Sequence, residues 1–159
     1  MRHVPVTLTL VLTLLIALLA AGCGGSDASK EDFGSAMISA RNDTDAGLAQ
    51  IVLADSWEDL LERMKVAAVE VRGAASDVRT ADAPEELEDE RDLLAERLVA
   101  LSDEIISTVE TFESFPTAQP TSALNFEQWN TVQASLASLR REGIKVKALE
   151  RHKPEIQRQ

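Results

Sequence analysis

The chain has 159 residues, a formal net charge of −11 and a single cysteine. That length suits one domain. One cysteine excludes an intramolecular disulfide, and an acidic balance argues against broad nucleic-acid binding, which needs basic surface.

The N-terminal segment is built unlike the rest. Met1 to Pro5 carries one positive charge, Arg2, and Val6 to Leu19 is uncharged, with Thr7, Thr9 and Thr13 as its polar interruptions. Ala20-Ala21-Gly22 then supplies small residues. A charged start, a short apolar run and a small-residue site are the parts of a secretory signal. The run falls short of the roughly twenty residues of a comfortable membrane span. An uncleaved membrane anchor, or an ordinary signal cut near Ala21, are the other readings of the same residues.

Ala20, Ala21, Gly22 and Cys23 occupy the four positions of a pattern that resembles the bacterial lipobox, with Ala20 where the family more often has Leu. The resemblance implies that Cys23 is the lipid attachment site and first mature residue, carrying diacylglycerol with or without an added N-acyl chain. No twin-Arg pair precedes it, so Sec export is expected. The physical sense is that one acyl chain binds a membrane marginally, whereas two or three give a stable anchor. Gly24-Gly25-Ser26-Asp27-Ala28-Ser29 reads as a short flexible tether. The expected division is a lipoprotein signal peptide over 1–22, a lipidated tether over 23–29, a four-helix bundle over 30–153 and a C-terminal tail over 154–159.

Residues 30–53 predict a first helix, with Phe33, Met37, Ala40, Leu48 and Ile51 at helical spacing. It is the weakest, because Gly34 and Gly47 each cost about 1 kcal/mol relative to Ala. Asp43-x-Asp45-x-Gly47 faintly resembles a calcium loop but lacks its third acidic position and bidentate Glu. A solvated helix face is the better reading, and no metal site is expected. Asp55 or Ser56 looks like an N-cap, with Glu58 or Asp59 three residues on. A second helix follows over 57–80, its stripe running through Trp57, Leu60, Leu61, Met64, Ala68, Val71, Ala75 and Val78.

Pro84 suits the first turn of a third helix, expected to reach Ser114. Its face is Leu87, Leu94, Leu98, Leu101, Ile105, Val109 and Phe112, widened by Leu93 and Ile106. A proline-punctuated loop over 115–122 leads to Asn125, which with Gln128 reads as a capping box. The fourth helix carries Trp129, Val132, Leu136, Leu139, Gly143 and Val146 as a seam, with Gly143 allowing close helix approach and Pro154 marking the end. Four amphipathic helices with short connections predict an all-α, up-down antiparallel four-helix bundle.

Charge supports pairing of the last two helices. Residues 82–104 hold ten carboxylates against Arg91 and Arg97, and residues 140–159 hold seven bases against Glu142, Glu150 and Glu155. A hairpin sets the acidic start of the third helix beside the basic end of the fourth, and such arrangements select pairings even where single pairs contribute little. The basic tail either neutralises that acidic face or meets anionic lipid or a partner.

In this topology the first helix starts near the membrane, and both tryptophans (Trp57, Trp129) and Phe112, Phe115 and Phe126 fall at the opposite, membrane-distal end. They form either an aromatic plug or a ligand site, for which Trp57, Phe115, Phe126 and Trp129 are the candidates. No catalytic residue is expected. His152 is the one histidine left after the signal, no Glu-x-x-His pair occurs, and nucleotide-binding and serine-hydrolase motifs are missing.

With Ala83-Pro84-Glu85-Glu86-Leu87 opening its third helix, the lipobox-tether-bundle order resembles small uncharacterised helical lipoproteins of high-GC Gram-positive bacteria. The resemblance implies location but no activity. The expected function is a non-enzymatic, extracytoplasmic interaction or envelope-associated module, held on the cell membrane by its lipid, without cofactor or nucleic acid. The alternative is a small-solute- or metal-binding lipoprotein using the aromatic tip or the acidic face of the third helix.

Overall fold

A computed structural model describes residues 29–115 and 125–151. Residues 1–28, which hold Cys23 and the expected signal and tether, residues 116–124 and residues 152–159 lie outside the described residues. Within them the protein is all-helical. Four helices form, α1 (Lys30–Ile51), α2 (Trp57–Thr80), α3 (Glu88–Ser114) and α4 (Glu127–Arg141), with a 3-10 turn, Glu85–Leu87, ahead of α3. Each helix packs on the next in the chain.

The helix starts show why these segments fold where they do. The Ser29 hydroxyl accepts from the Asp32 backbone N–H at 3.0 Å, capping α1. Ser56 does the same for Asp59 at 3.1 Å, and Asp59 accepts in return from the Asp55 N–H at 3.2 Å. The Ser56 bond to the Asp59 N–H resolves the choice between Asp55 and Ser56 in favour of Ser56. Pro84 stands one step earlier than expected. It precedes the 3-10 turn, its carbonyl accepting from the Leu87 N–H at 2.8 Å, and the α-helix proper begins at Glu88.

The core is the set of apolar stripes facing inward. Phe33, Met37, Leu60, Met64, Leu87, Leu94, Leu101, Ile105, Leu136 and Leu139 are all almost fully buried, each such side chain contributing about 1.5–3 kcal/mol. Leu93, expected to widen the α3 face, is instead 41% exposed. Two buried hydroxyls are satisfied. Thr44 donates to the Ala40 carbonyl, and Ser102 donates across to the Ala68 carbonyl of α2, each at 2.8 Å. Gly47 marks a close approach of α1 to α2, because a Cβ there would lie 2.7 Å from Glu70 Oε2. Gly73 has no such reason within the chain, although glycine at a helix interior costs about 1 kcal/mol relative to Ala.

The fourth helix departs most from expectation. It ends at Arg141, not near Pro154. Gly143 has φ +90, the left-handed conformation that glycine adopts without a Cβ clash. Ile144 N–H bonds to the Leu139 carbonyl at 3.0 Å and Gly143 N–H to the Arg140 carbonyl at 3.2 Å. These two bonds are a Schellman stop, with Leu139 and Ile144 both buried as its apolar pair. Gly143 therefore terminates the helix rather than easing helix contact. The expected Asn125 capping box is absent too. The Glu104 carboxylate of α3 accepts from the Glu127 and Gln128 N–H groups at 2.8 and 2.9 Å, capping α4 from outside.

Residues 144–151 run without helix and bury Ile144, Val146 and Leu149. α1 and α4 make no direct helix–helix contact, and this segment fills the space between them. Ile144 sits over Gly34, and Arg41 of α1 donates to the Ala148 carbonyl. Gln133 of α4 holds Leu149 at both backbone groups, donating to its carbonyl at 2.8 Å and accepting from its N–H at 3.1 Å. The expected charge zipper between α3 and the basic end is not formed among the described residues. Acids of 82–104 pair instead with Lys30, Arg72 and Arg91, because the segment from Ile144 onward turns away along α1.

Candidate functional site

The aromatic residues near the helix ends divide into two groups, with Phe115 in neither. Trp57 and Phe112 stack with ring centroids 5.1 Å apart and planes tilted by 59°. That tilted contact belongs to the packing between α2 and α3. Phe126, buried, and Trp129, half-buried, line a separate cleft with Leu48, Ile51, Glu150 and Arg151. Phe115 caps α3 and is 65% exposed, outside both groups. Trp57 does not line the cleft. Cys23 lies outside the described residues.

The cleft is shaped by the segment that follows α4. Asp45 of α1 accepts from the Glu150 N–H at 2.7 Å, and its carboxylate lies 3.4 Å from Arg41. Asp45 therefore holds backbone within the fold, and the Asp43-x-Asp45-x-Gly47 run is helix throughout. With Glu150 fixed, the Arg151 guanidinium lies over the Trp129 ring at 5.6 Å from its centroid. A cation over an indole face at this range is attracted by about 0.5–1 kcal/mol when exposed.

The cleft has about 50 Å³ of free volume, against roughly 300–1,000 Å³ for small-molecule sites. In this form it has room for water-sized occupants. Among the described residues no group of three or more His, Cys, Asp or Glu side chains is placed to hold a metal. No described helix is long and apolar enough to cross a membrane.

Titration is perturbed at surface ion pairs. The hydrogen bond from Arg63 holds the Asp59 carboxyl below its ordinary value. The bond from Arg91 does the same for Asp92. Glu86 is lowered by its own backbone N–H and by Lys30, and Lys65 is raised by its bond to Glu113. These are matched pairs on helix faces, not paired acids in a cleft.

Leu48, Ile51, Glu150 and Arg151 were not expected at this site. The first two read as generic core positions. The last two fell within a helix extended too far, although Gly143 followed by alternating Ile144 and Val146 carries the signal for a helix stop and an extended run. Comparison of the chain with protein-family models, with curated proteins and with solved structures finds no match.

Proposed function

We infer that the protein is an extracytoplasmic lipoprotein, tethered to the cell membrane through lipid on Cys23, whose helical bundle serves as a non-enzymatic interaction or envelope-associated module. The observation that carries this reading is the run Ala20-Ala21-Gly22-Cys23 directly after an uncharged apolar stretch that follows Arg2. The bundle begins only at the Ser29 cap, so a short polar linker separates it from the anchor.

Within the bundle the helices run up-down-up-down. Cross-contacts support this order: Arg63 with Gln50, and Glu70 over Gly47; Lys65 with Glu113, and Arg72 with Asp103; Glu104 with Gln128, and Arg97 with Ser135. In each set, position rises along one helix as it falls along its neighbour. Lys30 pairs with Glu86 at 3.3 Å at the end where the tether enters. The Trp129 cleft then faces away from the membrane. Specific block of lipoprotein signal cleavage with globomycin tests the reading. Accumulation of a longer, uncut precursor is the expected result, and unchanged processing contradicts it.

Small-solute or metal carriage is the weaker alternative, since the cleft at the aromatic end is small. A thermal-shift screen with divalent metals and hydrophobic ligands tests it, because a ligand that binds only the native state raises the melting temperature.

A further inference from the structure

The outward face of α2 lacks charge along most of its length. Opposite its buried stripe run Glu62, Val66, Val69, Gly73, Ser76 and Thr80, at spacings of four and three. Val66 is 44% and Val69 71% exposed, two apolar side chains one helical turn apart on the same face. Beside them Val69, Gly73, Ser102 and Ile106 line a shallow groove of about 430 Å³ between α2 and α3. A Cβ on Gly73 would meet nothing within 4 Å, so the chain's own packing does not ask for glycine there.

The flanking positions decide what covers this face. In heptad terms Val66 and Gly73 occupy the first core position and Val69 and Ser76 the second. The column on the α3 side is then Glu58, Lys65, Arg72 and Arg79, and the column on the α1 side is Arg63, Glu70 and Asp77. In a parallel pair of such helices, each flanking residue of one column faces the residue five positions on in the other column of the partner helix. Two copies of α2 laid side by side in parallel thus match Glu58 with Arg63, Lys65 with Glu70 and Arg72 with Asp77. All three matches join opposite charges. Arg63, Lys65 and Arg72 already pair within the chain, with Asp59, Glu113 and Asp103, and remain part-exposed. Glu58, Glu70 and Asp77 make no ion pair among the described residues. An antiparallel pairing sets each column against itself, bringing Lys65, Arg72 and Arg79 of the two copies together.

We propose that this face of α2 binds a second copy of the same chain, forming a parallel two-fold dimer with Val66, Val69, Gly73 and Ser76 along its seam. The inference does not depend on lipidation. Where both chains are anchored, parallel order sends both Ser29 ends toward the same surface, and confinement to one membrane raises the effective concentration of the pair.

The test uses the full chain as expressed in cells, in both the membrane and the soluble fraction, carrying either Val69→Cys or Ser76→Cys, oxidised with copper phenanthroline. The linked peptides are located by mass, so a link through Cys23 is not counted. The two positions lie about 10 Å apart along the helix. A parallel seam therefore gives a self-linked dimer at both. An antiparallel seam self-links at one position at most, and that result overturns the proposal, as does the absence of links at both. Val69→Arg, at an exposed position, is expected to reduce the Ser76→Cys link at least tenfold while leaving helix content unchanged. Undiminished linking in that variant also overturns the proposal.

Discussion

Arg41 and Ala148 are joined across 107 positions of the chain, the guanidinium donating from Nε at 2.9 Å and from Nη2 at 2.5 Å to one carbonyl oxygen. The Arg41 side chain is only 10% exposed. This pair fixes the last described segment along α1 and closes the side of the bundle that α1 and α4 leave open. Arg41→Ala leaves the carbonyl without its partners, and a lost charged hydrogen bond at a poorly exposed site costs about 1–3 kcal/mol. The expected outcome is a lower urea midpoint, with faster amide exchange at Leu149 and Glu150 before the helices open.

Gly143 is the hinge on which that closure turns. Its φ of +90 is open to glycine and strained for any residue with a Cβ, although nothing crowds the site itself. Gly143→Ala is expected to destabilise the fold by about 1–2 kcal/mol, read as a fall of a few degrees in melting temperature. An unchanged or higher melting temperature, as for a glycine within a continuous helix, would contradict the helix stop.

Glu104 offers a separate check on α4. It takes the place of a local cap, since Phe126 at the N-cap position makes no side-chain cap bond. Glu104→Ala is expected to cost about 0.5–2 kcal/mol, the range for lost N-caps, and to fray the first turn of α4. Amide exchange at Glu127 and Gln128 is the direct readout. Asn125→Ala, at the position a local capping box would use, is expected to change little.

These departures show which parts of the fold the sequence could convey. The α2 boundaries, most of each inward stripe and a cap at either Asp55 or Ser56 follow from local spacing and were legible. What failed were features set by distant partners. Glu104 caps α4 from another helix, and no local pattern announces it. Gly143 sits on a run of apolar spacings that continues the helical seam through Val146, so periodicity outweighed a glycine whose role is to stop the helix. The same overreach hid Glu150 and Arg151 from the Trp129 cleft. It also placed the basic end against α3, whereas Ile144, Val146 and Leu149 draw it along α1.

Acid stability turns on surface carboxylates. Arg63 holds the Asp59 carboxyl below its ordinary 3.8, and Arg91 does so for Asp92. Groups lowered in the folded state stabilise it fully above their unfolded values, and that contribution is lost as pH falls through the folded ones. Lys65, raised above 10.5 by Glu113, has the opposite sign: its contribution is present below 10.5 and lost as pH rises through the folded value. Stability from these pairs is therefore flat through neutral pH and declines below about pH 4. Asp59→Asn is expected to make that acid limb shallower in urea titrations between about pH 2 and pH 5, with little change in its shape at neutral pH. An equally steep limb in the variant would remove Asp59 from the account.

The central claim rests on Cys23, and intact mass spectrometry of the chain purified from membranes reads it directly. The expected result is a mature N-terminus at Cys23, with the mass of diacylglycerol and any added acyl chain on that residue. A free Cys23 thiol, or a mature N-terminus at any other residue, would contradict it.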